Sequence, residues 1–343
     1  MRESRYLKKY NFDFPEELIT QKPASPRDSA RLLVYDRKEK RVALDTFLSL
    51  DKYLPPRSVL VVNETEVVPA RLNLRKETGG KVQVLFLEKD AKGWQVLSDR
   101  KLILDQKLIL NSKYSFTVTD QKEGVFFLRP SFPLTKTFEI LEKYGSTPIP
   151  PYIKHTPLSE RKLKEEYQSI FAKRKGSVAA PTASLHFTNR LIKKLVRGHD
   201  IKRLTLHVGL GTFASVTGEQ LKAGKLHKEY YEISKETAQF LNRAKQEKRP
   251  IIAVGTTALR ALESAALPNG TLQKLSGETD LFIREGYRFR FVNGLITNFH
   301  VPNSSLLMLV SALASNREIK QVYRLALHEK FRLFSFGDGM FIR

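Results

Sequence analysis

The sequence predicts a layered α/β protein that carries a small all-β unit. Short strands separated by turn residues occupy about residues 74–130, which favours a small antiparallel barrel or sandwich. Beyond about residue 150, strands and helices alternate, as they do in layered α/β domains. A chain of 343 residues is long enough for two domains, or for one large domain with an ample core.

The all-β unit is predicted from alternating apolar residues. After Leu72 the chain reads KVQVLFLE at 81–88, in which apolar side chains alternate as they do in a half-buried strand. A short helix then ends at Gly145, and the proline-rich segment 148–152 is expected to be a stiff connector. Further short strands are expected at 94–98, 114–119 and 125–129.

The layered part is predicted from short apolar runs that alternate with capped helical patterns. The pair Asn293-Gly294 is a strong turn signal, so it predicts a hairpin between 289–292 and 295–297. Buried strands are expected at 59–62, 204–208 and 251–254. Helices are expected at 234–248 with Ser234 as the cap, and at 257–266, 304–314 and 318–329.

The charge of the chain points to a polyanionic partner. There are 59 Lys and Arg residues against 36 Asp and Glu residues, so the net charge is +23 and the pI is about 10.0. Nucleic acid is the leading candidate, and a generally basic surface is the alternative. Residues 154–203 hold 13 basic and 4 acidic residues. This segment is either a solvated face or a phosphate-binding face, whose candidate tRNA-binding residues are Lys173, Arg174, Lys175, Lys193 and Lys194.

Several protein classes are excluded by what the chain lacks. There is no cysteine, which excludes disulfide scaffolds, thiol nucleophiles, Cys-ligated zinc and iron–sulfur clusters. The longest apolar run, 306–314, is far shorter than the roughly 20 residues that a bilayer span needs. The basic N-terminal segment has no apolar stretch typical of a secretory signal, so a cytoplasmic protein is expected.

Two glycine-containing turns follow predicted strands and are candidate ligand sites. The first, GLGTF at 209–213, lets a ligand approach the backbone closely, but Ala214 replaces the third glycine of a dinucleotide fingerprint. A tight turn and a different nucleoside-like ligand both remain open there. The second, VGTT at 254–257, opens a helix and could bind a carboxylate or phosphate, or only cap the helix. It lacks the lysine of a P-loop, which argues against an ATPase.

Histidines lie in or beside these turns, and neutral histidine is a ready base near pH 7. They are His186, His207, His227 and His300. A single histidine is more often a satisfied polar residue than a catalyst. His186 belongs to the small, polar segment 176–188, which is either a structural loop or a ligand-contacting one. No HExxH or similar spacing occurs, so no metal is expected.

The longer motifs together resemble one family over essentially the whole chain. They are VPARL (68–72), ETGGKVQVLFLE (77–88), GSVAAPTASLHFT (176–188), LTLHVGLGTF (204–213), HKEYYEI (227–233), IIAVGTTALRALESAA (251–266), GLITNFHVPNSSLLMLVSALA (294–314) and FSFGDGMFI (334–342). The sequence is similar to QueA, the family of S-adenosylmethionine:tRNA ribosyltransferase-isomerases.

The resemblance implies an enzyme of queuosine biosynthesis. Such an enzyme moves the ribosyl part of S-adenosylmethionine onto 7-aminomethyl-7-deazaguanine at the wobble position of a tRNA, forming epoxyqueuosine and releasing adenine and methionine. The implied fold is an α/β domain made of 1–73 and 150–343, with an inserted β-barrel domain at 74–149. S-adenosylmethionine is the implied co-substrate and tRNA the implied partner. We expect a cytoplasmic monomer that needs neither metal nor membrane.

The implied reaction assigns roles to the residues named above. A sulfonium acidifies the protons on neighbouring carbons, so a positioned base can start the reaction. The expected catalytic residues are His186, His207 and His300 as acids and bases, and Asp280 for the methionine ammonium or a ribose hydroxyl. A carboxylate could bind at the helix N-terminus or on an arginine. The expected substrate-binding residues are Arg71, Thr182, Gly209, Gly211, Thr212, Thr256, Thr257, Arg260 and Asn298.

The chain departs from the family pattern at several positions. Glu64 stands where the pattern has Asp, and Glu66 stands where it has Arg, which reverses a charge. Ser184 replaces a glycine, and Gly224 lies where a histidine is frequent. These departures leave two alternatives to the active transferase. One is a non-catalytic relative that binds tRNA or another RNA, and the other is a diverged transferase with another acceptor.

Overall fold

A computed structural model describes residues 6–209 and 216–343 of the chain. Its strands are β1 Arg31–Asp36, β2 Arg41–Thr46, β3 Val59–Asn63, β4 Thr65–Val67, β5 Arg71–Lys76, β6 Lys81–Asp90, β7 Gly93–Ser98, β8 Lys107–Ile109, β9 Ser115–Lys122, β10 Val125–Pro130, β11 Arg174–Ser177, β12 Asp200–Leu206, β13 Lys225–Glu232, β14 Ile251–Val254, β15 Ser276–Leu281, β16 Gly294–Asn298 and β17 Gly339–Ile342. The helices are α1 Thr137–Tyr144, α2 Glu160–Glu166, α3 Asn189–Leu195, α4 Gly218–Ala223, α5 Lys235–Gln246, α6 Thr256–Ala265, α7 Ser305–Leu313 and α8 Asn316–His328.

A nine-stranded mixed sheet organises the larger part of the molecule. Its order is β15-β13-β12-β3-β14-β16-β17-β1-β2. The central strands β12, β3, β14 and β16 run parallel, and antiparallel or mixed pairs extend the sheet on both sides. The two innermost strands, β3 and β14, are buried along their whole length, which is why both appear in the sequence as unbroken apolar runs. The strands predicted at 59–62 and 251–254 are therefore confirmed.

Helices cover both faces of this sheet, as the layered α/β prediction requires. Val59 and Val61 face a core that is shared with α5, α6, α7 and α8, whereas Leu60 and Val62 face a second core shared with α3. Successive side chains of a strand point to opposite faces, so one short strand serves both cores. Ser234 caps α5 by accepting the backbone N–H of Thr237. None of the described helices is long and apolar enough to cross a membrane.

The all-β unit is a closed barrel, not a sandwich. Its strand order is β10-β7-β6-β5-β8-β9, and β9 pairs with β10 to close the ring. Trp94 fills the centre, where its ring packs against Phe86, Phe116 and Phe132. The indole N–H donates to the hydroxyl of Thr137 at 2.9 Å, which fastens α1 to the barrel. The domain boundaries at 73/74 and 149/150 stay a prediction.

The predicted hairpin around Asn293-Gly294 is wrong. Gly294 begins β16, which pairs in parallel with β14, and residues 282–293, all of which the structure describes, contain no strand. The backbone N–H groups of Arg290, Phe291 and Val292 instead donate to the buried carboxylate of Glu263. A side chain distant in the sequence thus replaces the missing partner strand, and local turn propensity could not predict it.

Gly145 allows the chain to leave the barrel helix α1 and return to the sheet domain. A Cβ at this position would lie 1.8 Å from the carbonyl oxygen of Pro69. Gly145→Ala should therefore lower the free energy of unfolding by about 1–3 kcal/mol, because the backbone must shift to relieve the overlap. Chemical denaturation measures this loss.

The matched control is Gly80→Ala in the hairpin between β5 and β6. A Cβ at Gly80 would meet only the Cδ of Lys76, at an ordinary contact distance of 3.7 Å. Equal stability changes in the two variants would contradict the steric explanation.

Candidate active site

A cavity lies at the carboxyl ends of the central parallel strands, where open α/β sheets bind ligands. We call it the strand-end cavity. Six of the predicted site residues line it, namely Thr182, Thr256, Thr257, Arg260, Asn298 and His300. They come together because β14 ends just before α6, β16 ends at Asn298, and Arg260 lies one helical turn after Thr256.

Helix α6, which begins in the wall of this cavity, is held in place by the central strand β3. Gly255 has φ +90°, a left-handed conformation that a side chain rarely adopts, and it turns the chain from β14 into α6. The amide of Asn63 donates to the Thr257 hydroxyl at 3.1 Å and to the carbonyl of Leu206 at 2.9 Å. The N-terminus of α6 is thereby fixed beside the end of β12.

A hydrogen-bonded chain runs from the cavity wall into the core. The Thr182 hydroxyl donates to Oδ1 of Asn298 at 2.8 Å, and Nδ2 of Asn298 lies 3.2 Å from Nε2 of His186. The ring of His186 stacks on Phe47 with a centroid distance of 4.1 Å, and burial lowers its pKa to about 3. His186 is not among the residues that line the cavity. Its ring nitrogen accepts a hydrogen bond from Asn298, which requires the neutral form.

His300 lies in the cavity wall itself. Its Nε2 is 2.9 Å from the hydroxyl of Thr297, and its backbone N–H donates to the phenol oxygen of Tyr323 at 2.8 Å. Burial lowers the pKa of His300 to about 3. Both His186 and His300 are therefore neutral near pH 7, so they can form hydrogen bonds as neutral imidazoles but are weak bases.

A second cavity, which we call the barrel-side cleft, lies between the β-barrel and the edge of the sheet. Barrel residues such as Phe86 and Phe127 line one side, and His207, His227 and Tyr230 line the other. Its volume is about 650 Å³. The sheet residues follow the end of β12 or belong to β13.

His207 is held in this cleft by its neighbours. Its Nδ1 lies 2.8 Å from the hydroxyl of Thr65, and its ring is nearly parallel to that of Tyr230. Burial lowers the pKa of His207. Gly176 has φ +147°, and a Cβ there would come within 2.9 Å of the His207 ring. Glycine at 176 is thus required both by the backbone and by the closeness of the imidazole.

A buried salt bridge separates the two cavities. Arg260 lines the strand-end cavity, and Glu229 of β13 lines the barrel-side cleft. Nη1 of Arg260 donates to Oε2 of Glu229, and the other carboxylate oxygen accepts the backbone N–H of Gly209 at 3.1 Å. The guanidinium also donates to the carbonyl of Leu281 at 3.2 Å. The predicted Arg260 is therefore already occupied by protein acceptors.

Some predicted residues lie apart from both cavities. Arg71 donates to the Gln83 side chain and to the carbonyl of Ile149, each at 3.0 Å, and so joins the barrel to the following chain. Asp280 forms a salt bridge with Lys225 at 2.9 Å. Neither Arg71 nor Asp280 is among the described residues that line the two cavities, so their substrate roles stay predictions. Gly209 lies at the barrel-side cleft, and the predicted Gly211 and Thr212 fall outside the described residues.

Most of the predicted tRNA-binding residues have acidic partners. Arg174 pairs with Glu64 and Glu232, at 3.5 Å and 2.7 Å. Lys194 pairs with Asp51 at 2.7 Å. Lys173 and Lys193 are exposed, and among the described residues neither has an acidic group within salt-bridge distance.

Glu66, which departs from the family pattern, also has a cationic partner. Strand β11 runs parallel to β4 and aligns Lys175 with Glu66, whose charged groups lie 3.8 Å apart. Lys175 pairs in addition with Glu142 of α1 at 3.2 Å. The reversed charge at position 66 is thus balanced within the protein.

Several residues of the cavity walls were not predicted from the sequence. Tyr152 lines the strand-end cavity, where its hydroxyl lies 2.6 Å from that of Ser335, and Tyr167 lines it nearby. Tyr152 belongs to the proline-rich segment, whose composition indicates only a connector. Glu229 lies within the HKEYYEI motif, where an acidic residue among the buried positions of a strand is a signal of a specific partner.

A resident metal ion is not supported by the described part of the chain. Among residues 6–209 and 216–343, no group of three or more potential ligands could hold a metal ion. That the protein needs no metal stays a prediction.

Comparisons with known proteins find a family model and relatives that agree with one another. A family model described as "Queuosine biosynthesis protein" matches residues 7–342. An S-adenosylmethionine:tRNA ribosyltransferase-isomerase of Fusobacterium nucleatum is 44% identical, with 99% of this chain and 97% of the relative covered. One from Carboxydothermus hydrogenoformans is 43% identical, with 98% and 99% covered. The crystal structure of an S-adenosylmethionine tRNA ribosyltransferase from Thermotoga maritima has a TM-score of 0.56 at 30% identity, covering 98% of this chain and 100% of that one.

Acid should destabilise the protein below about pH 6.5. On unfolding, His186 and His300 regain their ordinary pKa of 6.5, so the unfolded chain binds protons that the folded chain does not bind until about pH 3. Each histidine should therefore lower the free energy of unfolding as the pH falls through 6.5, with a slope that approaches about 1.4 kcal/mol per pH unit below about pH 5.5. Urea unfolding between about pH 7 and pH 5 measures this slope.

The variant His186→Asn separates this effect from other acid-sensitive groups. Asparagine can still accept the hydrogen bond from Asn298, but it does not titrate. Its unfolding free energy should fall less steeply with decreasing pH than that of the wild type. Parallel slopes in the two proteins would exclude His186 as a source of the pH dependence.

Proposed function

Because the chain belongs to the queuosine biosynthesis family of S-adenosylmethionine:tRNA ribosyltransferase-isomerases, we propose that its two adjoining cavities hold the two substrates of that reaction. The enzyme transfers and isomerises the ribosyl moiety of S-adenosylmethionine onto a tRNA. In our proposal the acceptor is 7-aminomethyl-7-deazaguanine at the wobble position, and the products are epoxyqueuosine, adenine and methionine. The observation that carries the proposal is the pair of cavities that meet at the Arg260–Glu229 salt bridge.

The strand-end cavity suits S-adenosylmethionine. Tyrosine rings and small apolar side chains offer surfaces for a nucleoside, and Thr182 and Asn298 offer polar groups that fix its orientation. The N-terminus of α6, at Thr256 and Thr257, presents backbone N–H groups that favour the methionine carboxylate. Arg260 lies one turn further along the same helix, where Glu229 and the carbonyl of Leu281 already hold its guanidinium.

The barrel-side cleft suits the nucleobase of the tRNA. An acceptor base must leave its stack to react, and enzymes that act on bases hold them against aromatic side chains. Tyr230 is 44% exposed and lies nearly parallel to the His207 ring, so it can serve as such a surface. Lys175 and Lys228 at the rim supply cations for the flanking phosphates, although each is shared with carboxylates.

We assign different tasks to the three predicted histidines. His207 faces the cleft and is the candidate base, because Thr65 holds one ring nitrogen and leaves the other for a substrate proton. His300 faces the strand-end cavity, where a neutral imidazole can hydrogen-bond the leaving adenine or the ribose. His186 acts through Asn298 and positions the amide that S-adenosylmethionine would meet.

The tRNA would be held mainly by cations that have no carboxylate partner among the described residues. Lys173 and Lys193 fit this description, whereas Arg174, Lys175 and Lys194 must exchange a carboxylate partner for a phosphate. Because the substrate is tRNA, we propose that the enzyme works in the cytoplasm. We also propose that it acts as a monomer without a metal.

A direct assay tests the reaction. The protein is incubated with S-adenosylmethionine and a tRNA that carries the aminomethyl-deazaguanine base, and adenine and the epoxide nucleoside are measured by mass spectrometry. Both products are expected. Bound tRNA without adenine release would identify a non-catalytic binding protein, and adenine without the nucleoside would identify another acceptor.

Asn298→Ala should weaken S-adenosylmethionine binding by about tenfold or more and slow turnover. The substitution removes the amide that joins Thr182 to His186 and leaves buried polar groups without partners. Calorimetric titration with S-adenosylmethionine measures the affinity. Asn242→Ala is the matched control, because Asn242 holds the backbone of Leu272 away from both cavities. If Asn298→Ala bound S-adenosylmethionine with unchanged affinity, the proposed location of S-adenosylmethionine in this cavity would be wrong.

Lys173→Glu should weaken tRNA binding and reduce its dependence on salt. Removing one cation from a phosphate lowers the slope of log affinity against log salt by about 0.9 or less. Filter binding of tRNA over a range of salt concentrations measures the slope. Lys235→Glu makes the same charge change at the start of α5 and should leave the slope unaltered. Equal slopes for the wild type and Lys173→Glu would contradict a phosphate contact at Lys173.

A further inference from the structure

The salt bridge between Glu229 and Arg260 is buried far more than an ordinary ion pair. Glu229 is 4% exposed and Arg260 is 7% exposed. Burial of two charges is costly unless both are paired and hydrogen-bonded. Here the carboxylate also accepts the N–H of Gly209, and the guanidinium also donates to the carbonyls of Thr279 and Leu281. The pair therefore joins α6, β13, β15 and the end of β12 into one wall.

The two charges face different spaces. Arg260 lines the strand-end cavity, whereas Glu229 lines the barrel-side cleft, and both border a small void between them. Among the described residues that line the strand-end cavity, Arg260 is the one with a formal charge at pH 7. Burial lowers the pKa of His300 to about 3, so that ring adds no charge. The positive end of the salt bridge thus points toward the proposed co-substrate.

S-adenosylmethionine carries a sulfonium, which is a cation beside the bonds that react. An arginine without its carboxylate in the wall of the same cavity would repel that cation, and the repulsion is strong where water is excluded. A like-charge repulsion of only about 1.4 kcal/mol lowers an affinity tenfold. The cavity can therefore hold both an arginine and a sulfonium only if a carboxylate on the far side of the cavity wall neutralises the arginine.

We propose that Glu229 determines the specificity of the cavity for a sulfonium substrate. Its carboxylate neutralises Arg260 from the far side of the wall, and it keeps the guanidinium turned toward protein acceptors. Glu229 does not touch S-adenosylmethionine, so it is a positioning residue that acts through Arg260. This inference rests on the proposed location of S-adenosylmethionine in the strand-end cavity.

The test compares two ligands that differ in charge at sulfur. S-adenosylhomocysteine has the same adenosine and amino-acid groups as S-adenosylmethionine, but its sulfur is a neutral thioether. Calorimetric titration of the full-length protein gives both dissociation constants. In Glu229→Gln, we expect the affinity for S-adenosylmethionine to fall about tenfold relative to that for S-adenosylhomocysteine. Loss of packing alone would weaken both ligands equally.

Further variants separate charge from structure. Glu229→Asp keeps the carboxylate and should restore most of the preference for the sulfonium. The double variant Glu229→Gln with Arg260→Gln removes both charges and should also restore it, whatever happens to the absolute affinities. Glu263→Gln removes another buried carboxylate of the same fold, away from the cavities, and should leave the ratio unchanged.

Two results would overturn the proposal. One is an equal weakening of both ligands in Glu229→Gln, and the other is no change in either affinity. A wrong location for S-adenosylmethionine would show separately, because Asn298→Ala would then bind it with normal affinity.

Discussion

The side-chain amide of Asn63 fixes the geometry on which both cavities depend. Asn63 is fully buried at the carboxyl end of the central strand β3. Its Nδ2 donates to Leu206 and Thr257, and its Oδ1 accepts the backbone N–H groups of Thr65 and Leu206. One amide thus sets the end of β12, the start of β4 and the start of α6. A buried polar group with all of its partners fixes one arrangement, because any shift would leave it unsatisfied.

The fold could be predicted where local sequence alone decides the structure. β3 and β14 were predictable because strands buried on both faces must be apolar throughout, and the Ser234 cap because its partner lies three residues away. The hairpin at Asn293-Gly294 failed because Glu263, distant in sequence, takes the hydrogen bonds that a strand would have made. Sequence patterns report local preference, whereas that carboxylate acts through tertiary contact.

The same distinction between local sequence preference and tertiary contact applies to the candidate site. Thr256 was predicted from the strand-to-helix turn at 254–257 and Asn298 from the family resemblance, and the structure brings both to the carboxyl ends of β14 and β16, where open α/β sheets bind ligands. Arg71 lies in the equally recognisable VPARL motif and Asp280 was predicted alongside it, but Arg71 is hydrogen-bonded to Gln83 and Ile149, and Asp280 is paired with Lys225. Whether a charged residue is free for a substrate depends on its neighbours in space. The basic run at 173–175 illustrates this, since β4 aligns carboxylates beside it.

Burial also limits what the histidines can do. Burial in the core keeps His186 neutral, and its weak basicity makes it suited to orienting Asn298 rather than to removing a proton. His207 lies at the boundary between barrel and sheet, where it lines the cleft and one of its ring nitrogens is hydrogen-bonded to the hydroxyl of Thr65. A base has to be accessible, whereas a positioning group has to be rigid, and the two conditions conflict at a single site. In the proposed assignment the two tasks fall to different histidines, one in the core behind the strand-end cavity and one in the wall of the cleft.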